Sequence, residues 1–178
     1  MQRGKPFRCA DSKYRNALTA VQASAIIAPS STWLWSVAVS VQMDSFSQDG
    51  VAVIESAKAH AHKYHHSHIS PEHMLLGVVE AGGPEALKII KRGRATPDQV
   101  VQLVRHHLRE GEHDIPADKL TFSERGKRVL EAARQASARA KAPKVDARHI
   151  LLGLSTIPHT VAAAVLGAID LKGEDAFS

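Results

Sequence analysis

The sequence predicts an all-α fold: two tandem four-helix repeats related by pseudo-twofold symmetry, with the last helix shortened or missing. Two segments, which begin at Phe46 and Phe122, match without a gap at an offset of 76 positions. Aromatic residues make up only 4% of the chain, which favours closely packed helices because strands are enriched in aromatic side chains. Apolar residues in each segment recur at helical rather than strand spacing. A duplicated unit of this kind buries its apolar face against its copy.

Each repeat carries start signals for successive helices. In the first repeat they are Ser47, Ser70-Pro71, Gly82-Gly83-Pro84 and Thr96-Pro97. A serine or threonine accepts a hydrogen bond from the first turn, and proline fits the first helical position because it has no N–H to leave unpaired. The fourth helix of this repeat is predicted to turn four apolar side chains inward: Val100, Leu103, Val104 and Leu108.

The second repeat follows the same plan. Ser123 and Asp146 take the first two cap positions, and Pro158 is predicted to open the third helix. By the repeat offset the fourth helix would occupy about 172–186. The sequence stops at Ser178, which is why this helix is expected to be shortened or missing.

Charge and composition divide the chain into four predicted parts: a leader (1–43), repeat 1 (44–110), a linker (111–121) and a truncated repeat 2 (122–178). The leader holds five basic residues and one acid. We expect it to be disordered or to lie upstream of the natural start, which Met43 would supply; a targeting signal is the alternative. Its apolar run is too short and too interrupted to cross a membrane.

The rest of the chain is nearly neutral. It holds 18 of the 23 basic residues and 17 of the 18 acidic ones. The two signs are mixed, whereas a phosphate-binding face concentrates its basic residues, so nucleic-acid binding is not expected. The single cysteine, Cys9, excludes a disulfide scaffold and is compatible with a reducing compartment. We therefore predict a cytoplasmic protein.

The doubled motif resembles a known family. Phe-Ser opens each repeat, and His-(Met/Ile)-Leu-Leu-Gly follows at His73–Gly77 and His149–Gly153. The pattern is similar to the Clp repeat, the N-terminal domain of the ClpA/ClpC class of AAA+ unfoldases, over about residues 46–170. The resemblance implies a domain that captures adaptors and substrates for an ATP-driven ring. The sequence has no Gly-x-x-x-x-Gly-Lys-Ser/Thr phosphate loop, so it resembles a stand-alone Clp N-terminal domain without the AAA+ modules.

The resemblance also implies binding positions. In the ClpC branch, phosphoarginine binds near the residue after the opening Phe and near the acid that precedes the second motif's His. Carried over, one site would use Ser47 and Glu72, and the other Ser123 and Arg148. Arg148 stands where the family has an acid; a base there repels a guanidinium and would meet a phosphate or an acidic partner instead. The residues themselves favour helix capping for both serines, and a first-turn charge for Glu72.

A run of histidines extends from His60 to His68. His62 and His66 are four positions apart, a spacing that can chelate a metal. Acids and cysteines are lacking nearby in the sequence, so the pattern favours a solvated helix end whose charge rises below about pH 6.5. No metal or cofactor is predicted, and these two residues are the candidates for the metal alternative. His73 and His149 are predicted to make structural hydrogen bonds to a backbone or cap group.

These features predict a non-enzymatic protein-binding module that modulates Clp-dependent proteolysis. Its expected partners are Clp ATPase or peptidase subunits, adaptors and substrate proteins. One alternative is a ligand-sensing module that binds phosphoarginine or a small molecule between the repeats. Another is a metal-binding protein that uses the histidine run. No nucleophile–base set and no paired carboxylates suggest catalysis.

Overall fold

The computed structural model of the chain describes residues 43–171. This part of the chain folds into seven α-helices and two very short strands. They are α1 (Gln48–Lys63), β1 (His68–Ile69), α2 (Pro71–Ala81), α3 (Gly83–Arg92), α4 (Pro97–His107), β2 (Thr121–Phe122), α5 (Glu124–Arg139), α6 (Ala147–Thr156) and α7 (Val161–Ala168). The all-α prediction is confirmed. The predicted leader, apart from Met43, and the predicted last helix lie outside the described residues.

The predicted caps begin most of the helices. Ser47 Oγ accepts a hydrogen bond from the Gly50 N–H, and Ser123 Oγ accepts one from the Gly126 N–H. Thr96 and Gln99 form a reciprocal capping box, in which side chains satisfy two first-turn N–H groups.

Two details of the sequence prediction are wrong. Helix α7 begins at Val161 rather than at Pro158, because Thr160 is its N-cap and accepts from the Ala163 N–H. Leu103 does not face inward: it is 39% exposed. The buried stripe of α4 consists of Val100 and Val104, and Leu103 falls on the adjacent, solvated side of the helix.

Each repeat is built on a tight helix pair, α1 with α2 and α5 with α6. A Cβ atom on Gly77 would lie 2.5 Å from the carbonyl oxygen of Val53, and one on Gly153 would lie 2.5 Å from that of Val129. The two pairs therefore make the same close backbone approach at equivalent positions, which only glycine allows.

The two repeats are joined crosswise. Strand β1, ahead of α2, pairs in parallel with β2, ahead of α5, and aligns Ile69 with Phe122. The equivalent residues of the other half, Phe46 and Val145, form a matching parallel bridge. Each repeat thus contributes one extended segment to the other, and these contacts relate the halves by the predicted pseudo-twofold symmetry.

A single apolar core runs through the described residues. Helix α2 packs against α6 and α7 of the other repeat as well as against α1. The largest fully buried apolar side chains are Ile54, Ile69, Met74, Leu75, Leu76, Ile90, Ile150, Leu151, Leu154 and Leu166. Within residues 43–171, no single helix is both long and apolar enough to cross a bilayer; α6 and α7 meet the requirement jointly but are bent by 99°.

Candidate functional site

A groove of about 590 Å³ lies where the two repeats and the connection between them meet. One wall comes from the end of the histidine run and the start of α2, the other from the end of α4 and the chain that follows it. The N-terminus of α7 contributes as well. The lining residues are His66, Ser67, His68, Ser70, Glu72, His107, Leu108, Arg109, Glu110, Gly111, Glu112, His113 and Val161.

A chain of three hydrogen bonds connects the two walls. The Ser70 N–H donates to His73 Nδ1 over 3.0 Å. His73 Nε2 lies 2.8 Å from His66 Nδ1, and His66 Nε2 lies 2.6 Å from the carbonyl oxygen of Arg109. A carbonyl only accepts and a backbone N–H only donates. Both imidazoles are therefore neutral, each with its proton on Nε2. We refer to Ser70, His73, His66 and Arg109 as the histidine relay.

The burial of His73 keeps this relay neutral. The side chain is fully buried, and desolvation, together with the nearby charges of His66 and His60, lowers the pKa of His73 to about 3. Burial disfavours the charged form of an imidazole because that form loses its hydration. The predicted structural role of His73 is confirmed, and His149 makes the equivalent bond from the Asp146 N–H to its Nδ1 at 3.2 Å.

The histidine run joins elements and does not form a chelate. His62 donates through Nδ1 to the carbonyl oxygen of Ile115, and both nitrogens of His66 belong to the relay. His60 Nε2 lies 2.8 Å from a carboxylate oxygen of Glu80. Among residues 43–171, no group of three or more His, Cys, Asp or Glu is arranged to hold a metal ion. Both candidate ligands, His62 and His66, are hydrogen-bonded to carbonyl oxygens, those of Ile115 and Arg109.

Glu72 ties the two repeats together at the edge of the groove. Its Oε1 accepts a hydrogen bond from the Val161 N–H at 3.1 Å, across 89 positions of sequence. Val161 is the first residue of α7, whose first-turn N–H groups have no partner within the helix. The carboxylate also complements the positive end of the helix dipole. Glu72 is therefore a helix cap supplied by the other repeat as well as a groove residue.

Arg148 occupies the equivalent position in the second repeat but has a different partner. Its Nε and Nη2 atoms donate to Asp146 Oδ2 over 3.0 and 2.8 Å. Burial opposes ionisation of Asp146, but hydrogen bonds from His149 and Arg148 outweigh it and hold the pKa of this carboxyl well below its usual range. The hydrogen bond to Asp146, and then the charges of Asp146 and Glu85, raise the pKa of Arg148.

The two predicted serines are brought to the opposite repeat. The Ser123 N–H donates to the Ile69 carbonyl, just ahead of the helix that carries Glu72. The Ser47 N–H donates to the Val145 carbonyl, just ahead of the helix that carries Arg148. The backbone thus places Ser123 beside the Glu72 helix and Ser47 beside the Arg148 helix, which crosses the pairing expected within each repeat. A ligand-binding role for these four residues stays a prediction.

The sequence prediction missed the wall formed by Arg109, Glu110, Glu112 and His113. These residues belong to the predicted end of repeat 1 and to the linker, which were read only as a connection. Their backbone is fastened to the histidine run: the Gly111 N–H donates to the Tyr64 carbonyl and the His113 N–H to the His65 carbonyl. A second concentration of histidines, at His106, His107 and His113, was the signal in the sequence.

The fold and the groove define a duplicated all-α domain with a candidate site between its repeats. The family model of the Clp repeat N-terminal domain matches residues 45–169. The chain therefore belongs to the Clp repeat N-terminal domain family.

A curated relative is similar in sequence, and solved structures are similar in fold. The ATP-binding subunit ClpC of the ATP-dependent Clp protease of Staphylococcus saprophyticus is 31% identical over 120 residues, which cover 67% of this chain and 14% of that protein. The chain thus spans about one seventh of the length of this relative. The N-terminal domain of ClpD from Arabidopsis thaliana superposes with a TM-score of 0.61 at 22% identity, over 79% of this chain and 94% of that one. The N-terminal domain of the ClpV1 ATPase of E. coli superposes with a TM-score of 0.63 at 18% identity, over 76% of this chain and 82% of that one.

Proposed function

We propose that this chain is a non-enzymatic, cytoplasmic protein-binding module that binds adaptors, substrates or Clp subunits in the groove and thereby modulates Clp-dependent proteolysis. One observation carries the proposal. The groove is built jointly by both repeats and the chain between them, and the Glu72–Val161 bond stands at its edge. Because both repeats contribute residues, this groove exists only when the two repeats are folded together. Its residues, rather than the fold alone, carry the argument for binding.

The relatives support the choice of partners. They are ATP-binding subunits of a Clp protease, in which the matching segment is a small part of a larger chain. The same domain fold in the present chain would meet the same class of partners. It would either join the Clp machine or compete for the adaptors and substrates that the machine receives.

A binding titration tests this proposal. The purified chain is titrated by calorimetry with a Clp ATPase, its peptidase and its adaptors, and saturable binding to at least one of them is expected. The variant Glu72→Gln removes the negative charge of this side chain but keeps an oxygen that can accept the Val161 N–H, so we expect the fold to be preserved. We expect it to weaken binding about tenfold or more, the scale of one lost charge-assisted hydrogen bond.

The matched control is Glu55→Gln, which removes the same charge from the exposed face of α1, where Lys58 donates to Glu55. Its affinity should equal that of the wild type. The proposal fails if the wild-type chain binds none of these partners, or if Glu72→Gln and Glu55→Gln bind equally well.

A second candidate function is ligand sensing, with phosphoarginine or another small guanidinium compound as the ligand. The Glu72 carboxylate at the edge of the groove favours it, because a carboxylate pairs with a guanidinium through two parallel hydrogen bonds. In this reading Ser123 serves with Glu72, and Ser47 with Arg148. Calorimetry with free phosphoarginine should show saturable binding that Glu72→Ala abolishes; heats of dilution alone would reject the candidate.

A further inference from the structure

The connection between the repeats is held against the first repeat by hydrogen bonds of fixed polarity. The Arg109 carbonyl requires a proton on His66 Nε2, and the Ser70 N–H requires a lone pair on His73 Nδ1. Between the two rings, the proton on His73 Nε2 is donated to His66 Nδ1 over 2.8 Å. The relay is therefore complete only when both imidazoles are neutral.

A second proton on His66 has no place in this arrangement. It would put an N–H on Nδ1, directly opposite the Nε2–H of His73. His73 could turn into an acceptor only by moving its own proton to Nδ1. The Ser70 Oγ, 2.9 Å away, could accept that proton, but the Ser70 N–H would then lose its acceptor. Since His73 is fully buried, it has no water to take the lost bond. Protonation of His66 therefore breaks either its bond to His73 or the bond from the Ser70 N–H to His73, and it disturbs the ring that contacts the Arg109 carbonyl.

The surroundings of His66 add to the effect. Imidazoles gain a proton just below neutral pH, and several others lie on the elements around this ring. The titratable and charged groups near it are His60, Tyr64, His65 and His68 on its own segment, Glu72 and His73 on α2, His107 at the end of α4, and Arg109, Glu110, Glu112 and His113 beyond it. With neutral histidines, the three carboxylates of the groove outnumber its one guanidinium. With its four histidines charged, the groove reverses to net positive.

We propose that the histidine relay is an acid-sensitive latch, which holds the segment Arg109–His113 as one wall of the groove at neutral pH and releases it when His66 is protonated. The consequence for partner binding rests on the function proposed above, whereas the release itself does not. The latch differs from a general loss of stability because it frees one segment while the core remains folded.

Hydrogen exchange of two amides reports the latch directly. The Gly111 and His113 N–H groups donate to Tyr64 and His65 over 2.8 and 2.9 Å, so they exchange only when the segment opens. Between pH 7.5 and 5.5, after correction for the intrinsic exchange rate, we expect their protection factors to fall about tenfold, because an imidazole of ordinary pKa in the open state becomes mostly protonated over this range. Core amides, such as those of Leu75 and Leu151, exchange through global unfolding and should lose protection only as far as the free energy of unfolding falls over the same range.

The variant His66→Gln should remove the pH dependence, because its amide can donate to the Arg109 carbonyl and cannot titrate. The matched control His68→Gln changes another groove histidine, whose ring is hydrogen-bonded to the neighbouring Ser67 hydroxyl and does not belong to the relay. It should keep the full effect. Equal protection of Gly111 and His113 at both pH values in the wild type would overturn the latch. So would an unchanged pH dependence in His66→Gln.

Nitrogen-15 NMR of the imidazoles tests the latch without any variant. At pH 7.5, His66 and His73 should each show an unprotonated Nδ1; a proton on His66 Nδ1 at this pH would refute the relay. Affinity for the Clp partner, measured at both pH values, separates the two claims. A release of the segment without a change of affinity would refute the regulatory role alone. A chain that binds no partner at either pH would refute the proposed function and leave the latch intact.

Discussion

At the scale of single residues, the hydrogen-bond partners of His73 determine which of its ring nitrogens carries the proton. A buried imidazole needs a donor on one side and an acceptor on the other, and Ser70 and His66 supply them. In the other repeat, His149 has a carboxylate beside it instead, with Nδ1 2.8 Å from Asp146 Oδ1. The two equivalent histidines therefore differ in their neighbour: an imidazole beside His73 and a carboxylate beside His149.

The pKa of His73 predicts how stability depends on pH. The unfolded chain binds a proton on this residue below its ordinary pKa of 6.5, whereas the pKa of His73 in the folded chain is about 3. The free energy of unfolding should therefore be highest above pH 6.5 and fall as the pH drops towards 3, with a slope of at most about 1.4 kcal/mol per pH unit from this group. Urea denaturation at a series of pH values measures the slope.

The control for this experiment is His73→Asn, whose side-chain oxygen can accept the Ser70 N–H but does not titrate. Its slope between pH 6 and 4 should be shallower than that of the wild type. An identical slope would show that His73 is not the source of the pH dependence. Asp146, whose pKa is also lowered, adds its own loss of stability only below the ordinary aspartate pKa of 3.8.

The paired glycines lead to a second prediction at this scale. Gly77→Ala and Gly153→Ala should each lower the free energy of unfolding by about 1–3 kcal/mol, because the new Cβ would stand 2.5 Å from a carbonyl oxygen of the neighbouring helix and force the helices apart. Chemical denaturation measures the loss. Alanine normally favours a helix over glycine by about 1 kcal/mol, so a gain in stability in either variant would contradict the close approach.

At the scale of elements, local chemistry sets where most helices begin, and long-range contacts complete them. The Ser47, Thr96, Ser123 and Asp146 caps were predictable because each acts within three residues of its own position. The cap on α7 has a second, distant part: Glu72 satisfies the first N–H of that helix from 89 positions away. A local sequence pattern cannot predict this hydrogen bond, because its two partners are 89 positions apart.

Replacing Glu72 separates its two roles. Glu72→Ala should lower the free energy of unfolding by about 0.5–2 kcal/mol, because it leaves the Val161 N–H without its acceptor, whereas Glu72→Gln should be nearly neutral. Arg148→Ala, at the equivalent position, loses an ion pair that is half exposed and should cost no more than about 1 kcal/mol. Thermal or urea denaturation ranks the three; a cost for Arg148→Ala above that for Glu72→Ala would contradict this assignment.

The sequence predicts the helices well and the tertiary contacts between them poorly. Periodicity predicted that Val100 and Val104 of α4 are buried, but it also assigned Leu103 to the core. A helix at the surface has apolar residues beside its buried stripe as well as within it. Pro158 looked like a helix start although Thr160 is the cap, since proline occurs in turns as readily as at first helical positions. The groove joins residues from 66 to 161, and it follows from packing that a linear pattern does not contain.

At the scale of the whole molecule, the two repeats form one folding unit. Each repeat supplies the other with an extended segment, through Phe46–Val145 and Ile69–Phe122, and α2 packs against α6 and α7. A repeat taken alone would expose both its apolar face and the unpaired edge of its segment. Duplication here makes a shared core and a shared groove, not two independent domains.

Dividing the chain tests this interdependence. A fragment of residues 43–116 should show no cooperative thermal transition on its own, because its apolar face and its extended segments lack their partners. Mixing it with a fragment of residues 117–178 should restore a transition, followed by circular dichroism. A cooperative transition of the first fragment alone, at the midpoint of the intact chain, would contradict the shared core.

The central claim is that the groove between the repeats is where a Clp partner binds. Amide chemical-shift mapping tests it most directly: the labelled chain is titrated with the Clp component that binds it, and every amide is followed at once. The predicted result is a set of shifts confined to residues 66–72, 107–113 and the start of α7 at Val161, with the outer face of α5 around Glu124 and Lys127 unchanged. Shifts concentrated on α5 or elsewhere outside the groove, with those segments unaffected, would contradict the claim.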